Sequence, residues 1–138
     1  MKSLLNSFIV IAVLLIFVPS CKKNATNTPE SIIGKWNIQK DSTSTGVGSG
    51  NHLVIYNGKS GDYFNFSTDG HLYTSENSIL DTLNYTISSD SIMIPDFGYV
   101  GGVGKGLIPF LSTHSLIITS GYFLTPGGAF GRTVYLYR

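Results

Sequence analysis

The chain has 138 residues and a formal net charge of +1, and 42% of its residues are hydrophobic against 12% charged. That is apolar enough for a folded core rather than a disordered, charge-rich chain, and its few Lys and Arg form no stripe of the kind that binds nucleic acid. A single cysteine, Cys21, excludes an internal disulfide.

The chain opens "MKSLLNSFIVIAVLLIFVPSC". Lys2 supplies a positive charge, and Phe8 to Val18 is an unbroken apolar run. The run fits the roughly 7–15 residues of a signal-peptide core. It is short of the ~20 that cross a bilayer as a helix, the alternative reading. Ser20 is small, as a cleavage site requires, and Cys21 follows it. Val18-Pro19-Ser20-Cys21 resembles the lipobox of bacterial lipoproteins: an aliphatic residue, two small residues and cysteine. Val18, Ser20 and Cys21 fit that pattern, and Pro19 departs from it. The resemblance implies cleavage before Cys21, a diacylglycerol thioether on its sulfur and acylation of its new amine. It also implies attachment to the cell envelope, in the outer membrane of a Gram-negative bacterium. Two or more acyl chains hold a protein on a membrane stably where one does not. The other readings of Cys21 are a free or reactive thiol, which needs a structured electropositive setting. Lys22 and Lys23 are positive, but "KKNATNTPES" reads as a polar tether.

Residues 1–20 are therefore expected to be the signal peptide, 21–30 a lipidated tether and 31–138 one folded domain. Removing Lys2 with the leader leaves eight basic against eight acidic residues. Thr28-Pro29-Glu30 has the chemistry of a single helical turn, with Thr28 as cap and Pro29 at the first position. No later segment shows a sustained helical period.

Alternating segments rich in β-branched and aromatic residues follow, separated by Gly, Asn, Asp and Ser. Strands are expected at Lys35–Asp41 (Trp36 and Ile38 on one face), His52–Tyr56 and Asp62–Phe66. "STDG" then turns the chain into His71–Thr74. Leu80–Ile87 comes next, and "SSDS" turns it into Ile92–Ile94. Leu107–Leu111, Ser115–Thr119, Gly121–Leu124 and Arg132–Tyr137 complete the set. Short strands at this spacing predict an all-β domain. Hairpin-length connections favour an up-and-down antiparallel barrel, with a β-sandwich as the alternative.

Gly34-Lys35-Trp36, on the first expected strand, resembles the Gly-x-Trp opening of lipocalins. "YFNFSTDGHLY", "LNYTISSDSIMI" and "RTVYLYR" resemble the hairpins and terminal strand of small bacterial lipocalin-like lipoproteins. The helix that follows the barrel in larger lipocalins has no counterpart, since these residues end on a strand. The resemblance implies a cup-shaped barrel that binds a small hydrophobic ligand, with Trp36, Phe64, Phe66 and Tyr85 as the candidate pocket. The other reading is that those four aromatics simply fill the core, the commoner arrangement, because small barrels are commonly packed solid with side chains.

Sites of other chemistry do not emerge. "GGVGKG" (Gly101–Gly106) has Tyr99 where a phosphate loop needs its first glycine, and Gly106 where it needs Ser or Thr. "GVGSGN" (Gly46–Asn51) has Asn51 at the third glycine of a dinucleotide loop. His52, His71 and His114 lack metal-ligand spacing, and Asp69 beside His71 belongs to a turn. Asp62, Asp69, Asp81, Asp90 and Asp96 offer no basis for choosing a catalytic pair. No cofactor, metal or catalytic role is expected. Asp41-Ser42-Thr43, Asp81-Thr82-Leu83 and Asp90-Ser91-Ile92 resemble envelope O-glycosylation sites at Ser42, Thr82 and Ser91, and also ordinary turn-to-strand transitions. The alternative function is a non-enzymatic adaptor. In it, the Gly-rich loops Gly46–Gly50, Gly101–Gly106 and Gly127–Gly131 contact another envelope protein or a glycan.

Overall fold

A computed structural model describes residues 31–46, 48–97, 104–125 and 128–138. Cys21, the leader, the tether and the Thr28-Pro29-Glu30 turn lie outside the described residues, as do Gly101, Gly102, Val103 and Gly127 of the Gly-rich loops.

The domain is all-β, an antiparallel and nearly closed barrel. Its strands are β1 (Gly34–Thr45), β2 (His52–Asn57), β3 (Tyr63–Phe66), β4 (His71–Glu76) and β5 (Ile79–Asn84), then β6 (Thr86–Ser88), β7 (Ser91–Met93), β8 (Lys105–Leu111), β9 (Ser115–Thr125) and β10 (Gly128–Tyr137). The sheet runs β5-β4-β3-β1-β10-β9-β8-β7-β6. Its two ends, β5 and β6, are consecutive in the chain and separated only by Tyr85. One stretch of chain thus pairs with β4 through its first half and with β7 through its second. The neighbours are mostly successive strands, as hairpin connections dictate. The exception is β1, which continues past the barrel.

The first half of β1 pairs with β3 and its second half with β2. Two irregularities shape that extension. In β1 the register with β10 slips between Ile38 and Lys40. A bulge of this kind reverses which residues face inward. Trp36 and Ile38 point into the barrel and are buried, and beyond the bulge Asp41, not Lys40, is buried. Lys40 lies outside, its ammonium 4.2 Å from the Tyr135 ring centroid. In β9 the register with β10 slips beside Gly121, at φ 67°. The two segments expected there, Ser115–Thr119 and Gly121–Leu124, are therefore one bent strand. Ser120 Oγ fills the irregularity by accepting the Arg132 N–H at 2.9 Å.

Alternation fills the barrel, because successive residues of a strand face opposite sides. Trp36, Ile38, Phe64, Phe66, Leu72, Ile92, Ile94, Leu116, Ile118, Val134 and Leu136 make a single buried cluster with Ile32, Tyr85 and Phe97. Each large side chain removed from water stabilises the fold by about 1.5–3 kcal/mol. Phe66 meets Tyr85 edge-to-face with ring centroids 5.2 Å apart. The Tyr85 hydroxyl donates to Ser67 O at 2.7 Å, and its N–H to Gly70 O at 2.8 Å. Both bonds tie the β5–β6 junction to the "STDG" turn, where Gly70 adopts φ 85°. Burial pushes the Tyr85 phenol up from its ordinary pKa.

Candidate functional site

The four aromatics chosen from the sequence are all buried. Trp36, Phe66 and Tyr85 belong to the packed core. Phe64 belongs to it too, and also lines a cavity of about 320 Å³. Tyr56, Thr74, Glu76, Asn77, Ile79, Asp81, Leu83, Phe97 and Arg132 complete the lining. The cavity lies at the mouth of the barrel, where β1, β2 and β10 run on past the shorter strands. Apolar walls surround a few converging polar groups, as in small-molecule pockets generally.

Arg132 organises its centre. Its Nε donates to Asp41 Oδ2 at 2.7 Å and its Nη2 to Glu76 Oε2 at 2.7 Å. Nη2 also lies 2.5 Å from Asp41 Oδ2. The guanidinium carbon sits 5.0 Å from the Phe97 ring centroid and 6.0 Å from that of Phe64. One cation therefore holds two carboxylates against two aromatic rings. The Asp41 side chain is only 5% exposed, so its charge is almost wholly removed from water. Its Oδ1 has no hydrogen-bond partner among the described residues. Burial pushes the Glu76 carboxyl up to about 7, with Arg132 opposing the shift and Asp41 adding to it. A proton on Glu76 relieves the repulsion between the two carboxylates, which compete for one guanidinium.

The rim is held by a third acid, Asp62. Asp62 accepts hydrogen bonds from the Tyr56 hydroxyl, from Lys59 N at 2.7 Å and from Asn77 N at 3.1 Å. These donors, Tyr56 first, hold its carboxyl below its ordinary pKa. The same bond pushes the Tyr56 phenol up. Lys59 Nζ bonds Asn77 Oδ1 at 2.8 Å. The loop before β3 is thereby clamped to the β4–β5 turn. Asn77 and Ser78 occupy that turn at φ 51° and 69°, as a two-residue hairpin of the type I′ class requires.

The sequence does not single out Asp41, Glu76 and Arg132 as a site. Asp41 stands out there only beside Ser42, and Arg132 only as the start of a strand. The available signal is parity. Arg132 falls in step with Val134 and Leu136, and Glu76 with Leu72 and Thr74, so each charge continues an inward-facing row. Asp41 could not be found in this way, since the bulge alone turns it inward. Asp69 accepts from His71 N at 3.1 Å and meets His71 Nδ1 at 3.1 Å, on the surface and within its turn. No metal-binding group of His, Cys, Asp and Glu occurs among the described residues.

A second hollow, of about 580 Å³, opens beside the chain entering β1. It is lined by Ser31, Ile32, Ile87, Ser89, Asp90, Ile108 and Leu111. It has no buried ion pair among those residues, and so lacks the converging polar groups of the mouth.

No known protein family matches the chain, and neither a curated protein nor a solved structure matches it.

Proposed function

We propose that this protein is an envelope lipoprotein, anchored through Cys21, whose lipocalin-like barrel binds a small, largely apolar ligand in its mouth. The observation that carries the binding role is the cavity itself. Phe64, Phe97, Leu83 and Ile79 give it apolar walls, and Arg132 and Glu76 meet at its centre. Ile79 is exposed at the rim, at 69%. Val54 shares a strand face with the lining residue Tyr56 and is 62% exposed. Apolar surface thus continues from the cavity onto the extension, where a ligand longer than the cavity would lie.

The lipid anchor is supported by the sequence layout of a short apolar run, Ser20 and Cys21. Catalysis is not part of the reading.

A neutral fluorescent probe such as N-phenylnaphthylamine tests the cavity. Saturable binding at one probe per chain is expected, and Leu83→Trp should abolish it while the far-ultraviolet circular dichroism stays unchanged. Binding that survives a filled cavity would place the ligand elsewhere. Acyl labelling in cells tests the anchor: Cys21→Ala should lose all label, and retained label would refute the attachment site.

A further inference from the structure

The charge at the mouth selects among ligands that would fit it. Arg132 is already committed to Asp41 and Glu76. Asp41 faces the cavity side of β1, since it pairs across the strand with Tyr56, a lining residue. Cross-strand partners share a face. Its Oδ1 is buried and has no hydrogen-bond partner among the described residues. Glu76 and Asp81 both line the cavity, from β4 and β5. Arg132 of β10 and Asp41 of β1 act directly on Glu76, Asp81 of β5 and Tyr56 of β2 line the same cavity, and Asp62 and Lys59 of the loop before β3 meet Tyr56 at the rim. Four of these seven groups, Glu76 included, are carboxylates and two are cations. Lys59 is turned to Asn77 and to the Tyr56 ring, 5.7 Å from its centroid.

We propose that the mouth cavity takes an organic cation, a protonated amine or amidine on a short apolar body, with its charged group held by Glu76 and Asp81, which line the cavity, while the buried Asp41 behind them adds negative charge. This rests on the cavity being the ligand site. The apolar body would lie on Leu83, Ile79 and Phe97. A carboxylate ligand would add a negative charge to a site already short of positive charge, and Arg132 has two carboxylates as competitors. An ammonium supplies three donors to the Glu76 and Asp81 carboxylates that line the cavity. Burial is the first cause of the upward shift of Glu76, and the Asp41 carboxylate beside it adds to the shift, so Glu76 takes up a proton there. A cationic ligand and that proton therefore compete.

Calorimetric titration with n-octylamine, n-octanol and octanoate tests this, since the three share a chain and differ in charge. At pH 8 the amine should bind on the order of tenfold more tightly than the alcohol, and octanoate more weakly than either. At pH 5.5, where the amine is still fully charged but Glu76 holds its proton, the advantage of the amine should shrink severalfold while alcohol binding stays constant. Glu76→Gln should remove that pH dependence, and Asp81→Asn should lower amine affinity without touching the buried pair. Octanoate binding as tightly as the amine, or an amine preference unaffected by pH, would overturn the cation assignment and leave the cavity as a neutral pocket. If none of the three binds, the cavity is not a ligand site and both readings fall.

Discussion

The guanidinium carbon of Arg138 lies 3.8 Å from the Trp36 ring centroid. The last residue of the chain thereby covers the indole on the first strand. Arg138 also donates to Ser31 O at 2.9 Å, Ile33 O at 3.1 Å and Thr113 O at 3.1 Å. Trp36 Nε1 donates to Ile32 O at 2.7 Å. These bonds close the end of the barrel away from the cavity by tying the segment before β1 to the segment after β10. Trp36 is thus a structural plug rather than a cavity wall.

Arg138→Ala should lower stability by about 1–2 kcal/mol, from a lost cation–π contact and backbone hydrogen bonds at an exposed site. Urea denaturation would measure it. Arg138→Lys should recover only part of the loss, because a point charge cannot stack and bond three carbonyls at once. A lysine variant as stable as the parent would show that charge alone matters here.

Stability should depend on pH through Glu76. Its folded pKa of about 7 is above the ordinary 4.5. The folded state therefore binds the extra proton, and the stabilisation is complete below about pH 4.5 and lost as pH rises through 7. Thermal melting between pH 5 and pH 8 should show the midpoint falling with pH, and Glu76→Gln should flatten that slope. An unchanged slope in the variant would assign the titration to another group.

Arg132→Met should be more damaging at high pH than at low. It leaves Asp41 and Glu76 buried without their cation, and breaking a buried pair from one side costs about 3–5 kcal/mol. Glu76 and Arg132 are partly exposed, at 27% and 21% for their side chains, so the lower end of that range is expected. At pH 5 the protonated Glu76 relieves part of the cost. Denaturation at both pH values would separate this from a simple packing loss, which would be the same at each.

Gly58→Ala tests the bulge in β1. A Cβ at Gly58 would stand 1.8 Å from Ile38 O, a backbone atom that cannot swing aside. Gly58 N also bonds Gln39 O at 3.1 Å, at the bulged residue itself. Overpacking of this kind costs about 1–3 kcal/mol. The more telling readout is binding: shifting the bulge displaces Asp41, so ligand affinity at the mouth should fall as well.

By itself the sequence determined an all-β domain and most of its strands. Polar–apolar alternation at Tyr63–Phe66 or Arg132–Tyr137 has a period of two whatever its surroundings, and "STDG" carries its turn chemistry locally. It also determined that Trp36, Phe64, Phe66 and Tyr85 would be inside, since large apolar side chains in that rhythm leave water together. Only the tertiary structure decided which end of the barrel is open and which charges meet there. The long β1 pairs with three other strands and bulges at Gln39, which turns Asp41 inward to face Arg132 from the other end of the chain. Such parity reversals arise from contacts distant in sequence, here the close approach of Gly58 to Ile38. The ion pair at the mouth therefore depends on a register that local residue order does not contain.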